Sequence, residues 1–102
     1  MRTVLSQDIL ALAGVLMAQP ASRRAALADL LIWRAHVAHK IARRLGKPHP
    51  DWGNGTLSGV TAGWPRRGDV FVGRGETLPA VLIVLEALMR RRLALSRGVP
   101  IC

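Results

Sequence analysis

Apolar residues recur along most of this chain at helical rather than alternating spacing, and three long segments carry the signal. In the first, Leu5, Ile9, Leu12, Ala13 and Leu16 fall on one stripe, flanked by Leu10, Val15 and Met17. That period predicts a helix, and its wide apolar surface predicts a largely buried one. Ser6 is placed to cap it, Asp8 sits in the first turn where the helix dipole favours an acid, and Leu5 can staple onto Leu10. The helix should run to about Ala18, ahead of Pro20.

The second segment opens at a cap on Ser22 or Gln19 and continues to Leu45, where Gly46 and then Pro48 stop it. Its expected buried stripe is Leu27, Leu30, Leu31, Val37, Ala38, Ile41 and Leu45. Arg34 lands inside that stripe. It reads either as a snorkelling side chain near a helix crossing or as the partner of Glu86 in an ion pair. The opposite face carries Asp29, His36, His39, Lys40 and Arg43, with Arg44 and Lys47 close by. In the third segment Thr77 caps a helix that tolerates Pro79 in its first turn. Leu78 to Met89 is apolar nearly all round, the mark of a central core helix; Arg90 to Arg97 is basic, and Gly98 with Pro100 ends it.

Between the long helices, Thr56 can cap a short helix from Leu57 to about Ala62, which Gly59 and Gly63 weaken unless they allow a close approach to another helix. Gly63 to Glu76 reads as a loop. These elements predict an all-α fold: one small helical bundle over residues 1–102, with three long helices, one short one and a Gly/Pro/Trp-rich central loop. An α+β alternative would pair Arg2–Leu5 with Asp69–Val72 as strands.

The central loop, Gly46 to Leu57, holds two prolines, a histidine, an acid and a tryptophan among its glycines. Each has a structural reading. Gly46 stops a helix, Pro48 and Pro50 keep the chain extended, and Asn54-Gly55 suits a turn with positive φ. Trp52 would fold back on the end of the bundle, tied by His49 or Asp51. The alternative reading makes His49, Asp51, Trp52 and Asn54 a partner-recognition loop, since binding residues concentrate on loops held by a rigid scaffold.

Composition sharpens this picture through charge. Fifteen Lys and Arg, thirteen of them Arg, face six Asp and Glu and give a net +9. An excess of that size favours anionic partners: nucleic acid, an acidic protein surface or anionic lipid headgroups. Three groups concentrate it: Arg43, Arg44 and Lys47 close the second helix, Arg66 and Arg67 lie in the loop, and Arg90, Arg91, Arg92 and Arg97 close the last helix. Cations at helix C-termini also complement the dipole, which explains two of the groups without any ligand. If folding joins the groups, they can neutralise several phosphates, with binding that weakens steeply in salt.

Chemistry finds little foothold. The four serines lack a nucleophile elbow, the six acids are scattered, and Gly73-Arg-Gly75 does not follow a credible strand. His36 and His39 share a helix face, but Lys40 and Arg43 crowd it and disfavour a dication, so solvated helix histidines are expected and no metal or other cofactor. Cys102, the one cysteine, excludes an intramolecular disulfide and suggests a reducing compartment, hence the cytoplasm. The apolar run Leu78 to Met89 is too short to span a bilayer.

The order Arg43-Arg-Leu-Gly-Lys-Pro-His-Pro-Asp-Trp-Gly-Asn-Gly-Thr-Leu57, after a Met-Arg-x-Val-Leu start and before Val84-Leu-Glu-Ala-Leu88, resembles a family of small uncharacterised alphaproteobacterial proteins. The likeness fades over Gly63 to Leu82, where the family would be more acidic and Pro-rich. It implies a bacterial cytoplasmic origin and an all-helical fold, but no activity. The expected function is therefore non-catalytic binding or regulation through a basic surface. The alternative is a protein–protein adaptor or homo-oligomer using the apolar surplus at Leu10, Val15, Met17, Leu82, Ile83 and Leu93.

Overall fold

The computed structural model describes residues 4–65 and 77–96. Among them the protein is all-α, with α1 (Ser6–Met17), α2 (Ala21–Leu45), α3 (Leu57–Val60) and α4 (Thr77–Ser96). Three helices are long, one is short, and no strand occurs in the described residues. Asp69–Val72, the segment an α+β fold would need, lies outside them.

The start of α1 differs from expectation. Ser6 is its first helical residue and Leu5 takes the N-cap position. Leu5 has no side-chain acceptor, so Asp8 reaches back and accepts the Leu5 N–H at 2.9 Å. Leu5 itself stays exposed rather than stapling inward. Further along, Leu12, Ala13, Val15 and Leu16 are completely buried, as their broad apolar arc requires.

α2 begins directly after Pro20, whose φ of −57° is already helical; neither Ser22 nor Gln19 provides a side-chain cap. It stops where expected, at Gly46 with φ +73° and its N–H on the Ala42 carbonyl at 2.9 Å. The buried side keeps Leu31 and Ala38 of the expected stripe, with Leu27, Val37 and Ile41 half-buried, but is rotated from it. It is Arg24, Ala28, Leu31, Ile32, Ala35 and Ala38, while Leu30 and Leu45 are exposed. α4 likewise turns Ala80, Val84 and Ala87 inward. Small side chains at a crossing allow a short interaxial distance, and α2 and α4 pack together. Small residues thus share the buried sides of α2 and α4 with Leu31, Ile32 and Val84.

α4 is not the fully buried central helix that its composition suggests. Leu78, Leu82, Leu85, Met89 and Leu93 are all exposed. Thr77 is its first helical residue, and the Thr77 hydroxyl is buried without a hydrogen bond instead of capping. α1 packs on the other three helices and α3 closes against α1 and α2. One cluster joins α1, α2, α3 and α4 through Leu12, Leu16, Leu31, Leu57, Val60 and Val84.

Candidate anion-binding surface and the loop beside it

The loop between α2 and α3 is held by its own polar groups. His49 and Gly53 form a small antiparallel bridge, N–H to carbonyl at 2.9 and 3.1 Å. The N–H groups of Asp51 and Trp52 both donate to His49 Nδ1, each at 3.0 Å. The imidazole stacks on the Trp52 ring at 4.7 Å and 16°. Trp52 in turn leans on Trp33 of α2, centroids 5.8 Å apart, and the Arg34 guanidinium lies 5.4 Å from the Trp52 ring. Arg34 thus meets an aromatic face, a cation–π geometry, and no ion pair to Glu86 forms among the described residues. Trp52 is half-buried against the core, the position expected of a plug at the bundle's end.

The second half of the loop builds α3. Asn54 Oδ1 accepts the Thr56 hydroxyl at 2.9 Å and the Thr56 N–H at 3.3 Å. Thr56 Oγ1 then accepts the Gly59 N–H at 3.0 Å, the cap its identity promised. The positive φ of this stretch belongs to Gly53 and Gly55, not Asn54. Gly55 also abuts α2, where an added Cβ would lie 2.5 Å from the His39 Cβ. Of the two glycines expected to allow close approach to a helix, Gly63 has nothing within 4 Å of an added Cβ and Gly59 meets its own loop, at 3.0 Å from Thr56 Oγ1 and 3.3 Å from Asn54 Oδ1; the approach to a helix falls at Gly55.

The basic residues divide. Arg43 and Arg44 are exposed in the last turn of α2, and Lys47 is exposed just beyond it. Lys40, one turn earlier, shares their face, and Lys40, Ile41, Arg43 and Arg44 line an open recess of about 600 Å³. Arg90 and Arg91 meet α2 further upstream. Arg90 donates to Asp29 at 3.0 Å with both side chains half exposed, and Arg91 contacts His36 Nδ1. His36 and Arg43 are seven residues apart, roughly 10 Å along a helix, so part of the α4 charge is turned toward α2's own polar face. Arg92 remains exposed. Arg66 and Arg67 lie outside the described residues.

The histidines expected to be solvated are not. His36 and His39 are both half-buried, His36 beneath Arg91 and His39 beneath Gly55. Burial, then the positive Arg91, push the His36 pKa down to about 4. The unfolded chain binds this proton near pH 6.5 and the folded one only near 4, so folding loses stability as pH falls through that window. Wild type should lose roughly 1–3 kcal/mol between pH 6.5 and 4. His36→Gln should flatten that part of the profile, read from thermal or urea unfolding at stepped pH. An unchanged slope in the variant would remove His36 as its source.

Two polar residues matter more than the sequence suggested. Asp8 is buried, and its carboxylate accepts the Ser58 hydroxyl at 2.6 Å and the Ser58 N–H at 3.2 Å, besides Leu5. Burial alone would raise its pKa; the Ser58 hydroxyl and the two N–H groups outweigh that and hold it below the ordinary carboxylate value. Arg24 is buried too, donating to the Gln19 carbonyl at 3.1 Å where α1 ends. A cation there meets the negative pole of α1. Both positions were readable: Asp8 is in helical step with Leu12 and Leu16, and Arg24 with Ala28 and Leu31.

Among the described residues, no three His, Cys, Asp or Glu side chains gather as a metal site would require, and no helix is long and apolar enough to cross a membrane. Fold and surface together define a small all-helical protein with a self-braced loop and a basic helix end. The chain belongs to a family described as a domain of unknown function, DUF7742, which matches residues 2–88 and so ends within α4. No curated protein and no solved structure matches it.

Proposed function

We propose that this is a non-catalytic bacterial, cytoplasmic binding protein that docks an anionic partner, nucleic acid or an acidic protein surface, on the C-terminal end of α2. The observation that carries this reading is the exposed face of Lys40, Arg43 and Arg44 around the open recess, with Lys47 exposed just beyond it. The chain's +9 would draw anions toward it. A binding role rather than a catalytic one is favoured by the loop, where His49 Nδ1 and Asn54 Oδ1 are engaged in bracing the backbone.

Titration against a short DNA duplex and against polyglutamate, each at low and fourfold higher salt, tests it. Contacts to three or four phosphates would weaken duplex binding roughly 40- to 150-fold across that range. Joint Arg43→Ala and Arg44→Ala should lower the salt slope by about two phosphates. Preference for duplex or for polyglutamate separates the two partner classes, and no binding to either at low salt defeats the proposal.

A second reading, the protein–protein adaptor or homo-oligomer, is favoured by the exposed large apolar residues of α4. Of the α1 residues it would use, Val15 and Met17 are buried in the core and Leu10 is half-buried, while on α4 Ile83 is half-buried against the core.

A further inference from the structure

We infer that α4 is a docking seam for an acidic amphipathic helix of another protein. The inference rests on the adaptor reading and names the partner's chemistry. It concerns a different surface from the end of α2.

Leu78, Leu82, Leu85, Met89 and Leu93 are 51, 54, 42, 63 and 50 % exposed, which is unusual for five large apolar side chains on one helix. Their spacing of four, three, four and four residues keeps them on one line. The first four follow the alternating three–four step of a coiled-coil seam. The seam is narrow, because Val81, Ile83 and Leu88 on either side are half-buried against the core. A single file of apolar residues suits the ridge of one facing helix, whereas insertion into a lipid surface needs a broad apolar face.

Charge decides what kind of helix. Beside the seam α4 bears Arg90 and Arg92 against one acid, Glu86, while Arg91 lies on the other side of the helix, half-buried at His36 of α2. Arg92 takes the next seam position after Met89, three residues on, and is exposed. Arg90 is half exposed, and its surface pair with Asp29 holds it only weakly. A second copy would bring another chain of +9 onto this surface, and a parallel pairing would set Arg92 against Arg92. Glu or Asp beside the apolar ridge of a different helix would instead complement these arginines.

The test uses the full chain and two synthetic three-heptad helices with leucine at the seam positions. One carries glutamate beside the seam and the other lysine at the same places. Fluorescence anisotropy should show the glutamate peptide binding and the lysine peptide not. Joint Leu82→Ser and Leu85→Ser, both exposed and so expected to leave the fold and circular dichroism intact, should weaken binding roughly 30-fold or more. Arg92→Glu should weaken the glutamate peptide about tenfold and admit the lysine peptide.

If neither peptide binds the wild-type chain, the inference is overturned, while the adaptor or homo-oligomer reading stands or falls separately on the sedimentation below. Equal binding of both peptides leaves the docking surface standing but overturns its acidic partner. Sedimentation showing a wild-type dimer that the two serine substitutions dissolve would give the seam to a second copy. Phosphatidylserine vesicles retained by wild type and lost by the serine variant would give it to lipid. Either result overturns the inference.

Discussion

Replacing Gly55 with alanine is expected to destabilise the fold by roughly 3 kcal/mol or more. Two costs combine. Gly55 has φ +97°, a conformation that residues with a Cβ rarely adopt. The new methyl would also meet α2 at the His39 Cβ, Cα and backbone N, 2.5, 2.7 and 3.0 Å away. Neither the Cα nor the N can turn aside like the end of a flexible side chain, so the loop must lift from the helix. Lifting it would pull at Asn54, Thr56 and the cap of α3. Gly46 supplies the control: its φ is +73°, yet nothing lies within 4 Å of an added Cβ. Gly46→Ala should therefore cost about 1 kcal/mol, from backbone strain alone. Urea unfolding of both variants separates clash from strain. Equal losses would mean that the loop does not rest on α2 as described.

Helix punctuation was legible in the sequence at two points, Gly46 and Thr56, but not at the N-caps expected of Ser6, of Ser22 or Gln19 and of Thr77. Gly46 ended α2 and Thr56 capped α3 because those roles depend on a few neighbouring atoms. The facing of the long helices was harder to read. An apolarity ranking favours Leu30 and Leu45, which are exposed, over Ala28 and Ala35, which are buried, while Leu27, Leu31 and Ala38 do turn inward; helix packing also rewards residues that let axes approach. In α4 nearly every position is apolar, so no periodicity separates Ala80, Val84 and Ala87 from the leucines that stay outside. The basic groups were legible as residues but not as a surface. Whether Arg90 and Arg91 add to the α2 end depends on where α4 crosses α2, and that crossing directs them to Asp29 and His36. The loop was legible piece by piece, while the stack of His49, Trp52 and Arg34 needed a tertiary meeting across 15 or more residues.

Asp8 carries the second large effect, because it joins elements 50 residues apart. Asp8→Ala would strand the Leu5 N–H and both donors of Ser58, one of them a charge-assisted bond of 2.6 Å. Bonds to a charged acceptor contribute about 1.5–3 kcal/mol and the stranded donors cost more, so a loss of roughly 3–4 kcal/mol is expected. Asp8→Asn keeps an acceptor oxygen without the charge and should lose about half as much. The reason for the larger figure is cooperative: Asp8 begins α1 and holds α3 to it, so freeing Ser58 loosens the packing of Leu57 and Val60. A double-mutant cycle with Ser58→Ala isolates the pair, and its coupling energy should exceed roughly 1 kcal/mol. The pH dependence gives an independent check. The folded carboxyl titrates below its ordinary value of 3.8, so its contribution is complete above that pH and is lost as pH falls below it. This step lies below the window of His36. Asp8→Asn should therefore abolish the loss of stability below pH 4 and leave the one between 6.5 and 4 intact. A variant that keeps the wild-type acid step would show that some other carboxyl, not this buried one, ties α1 to α3.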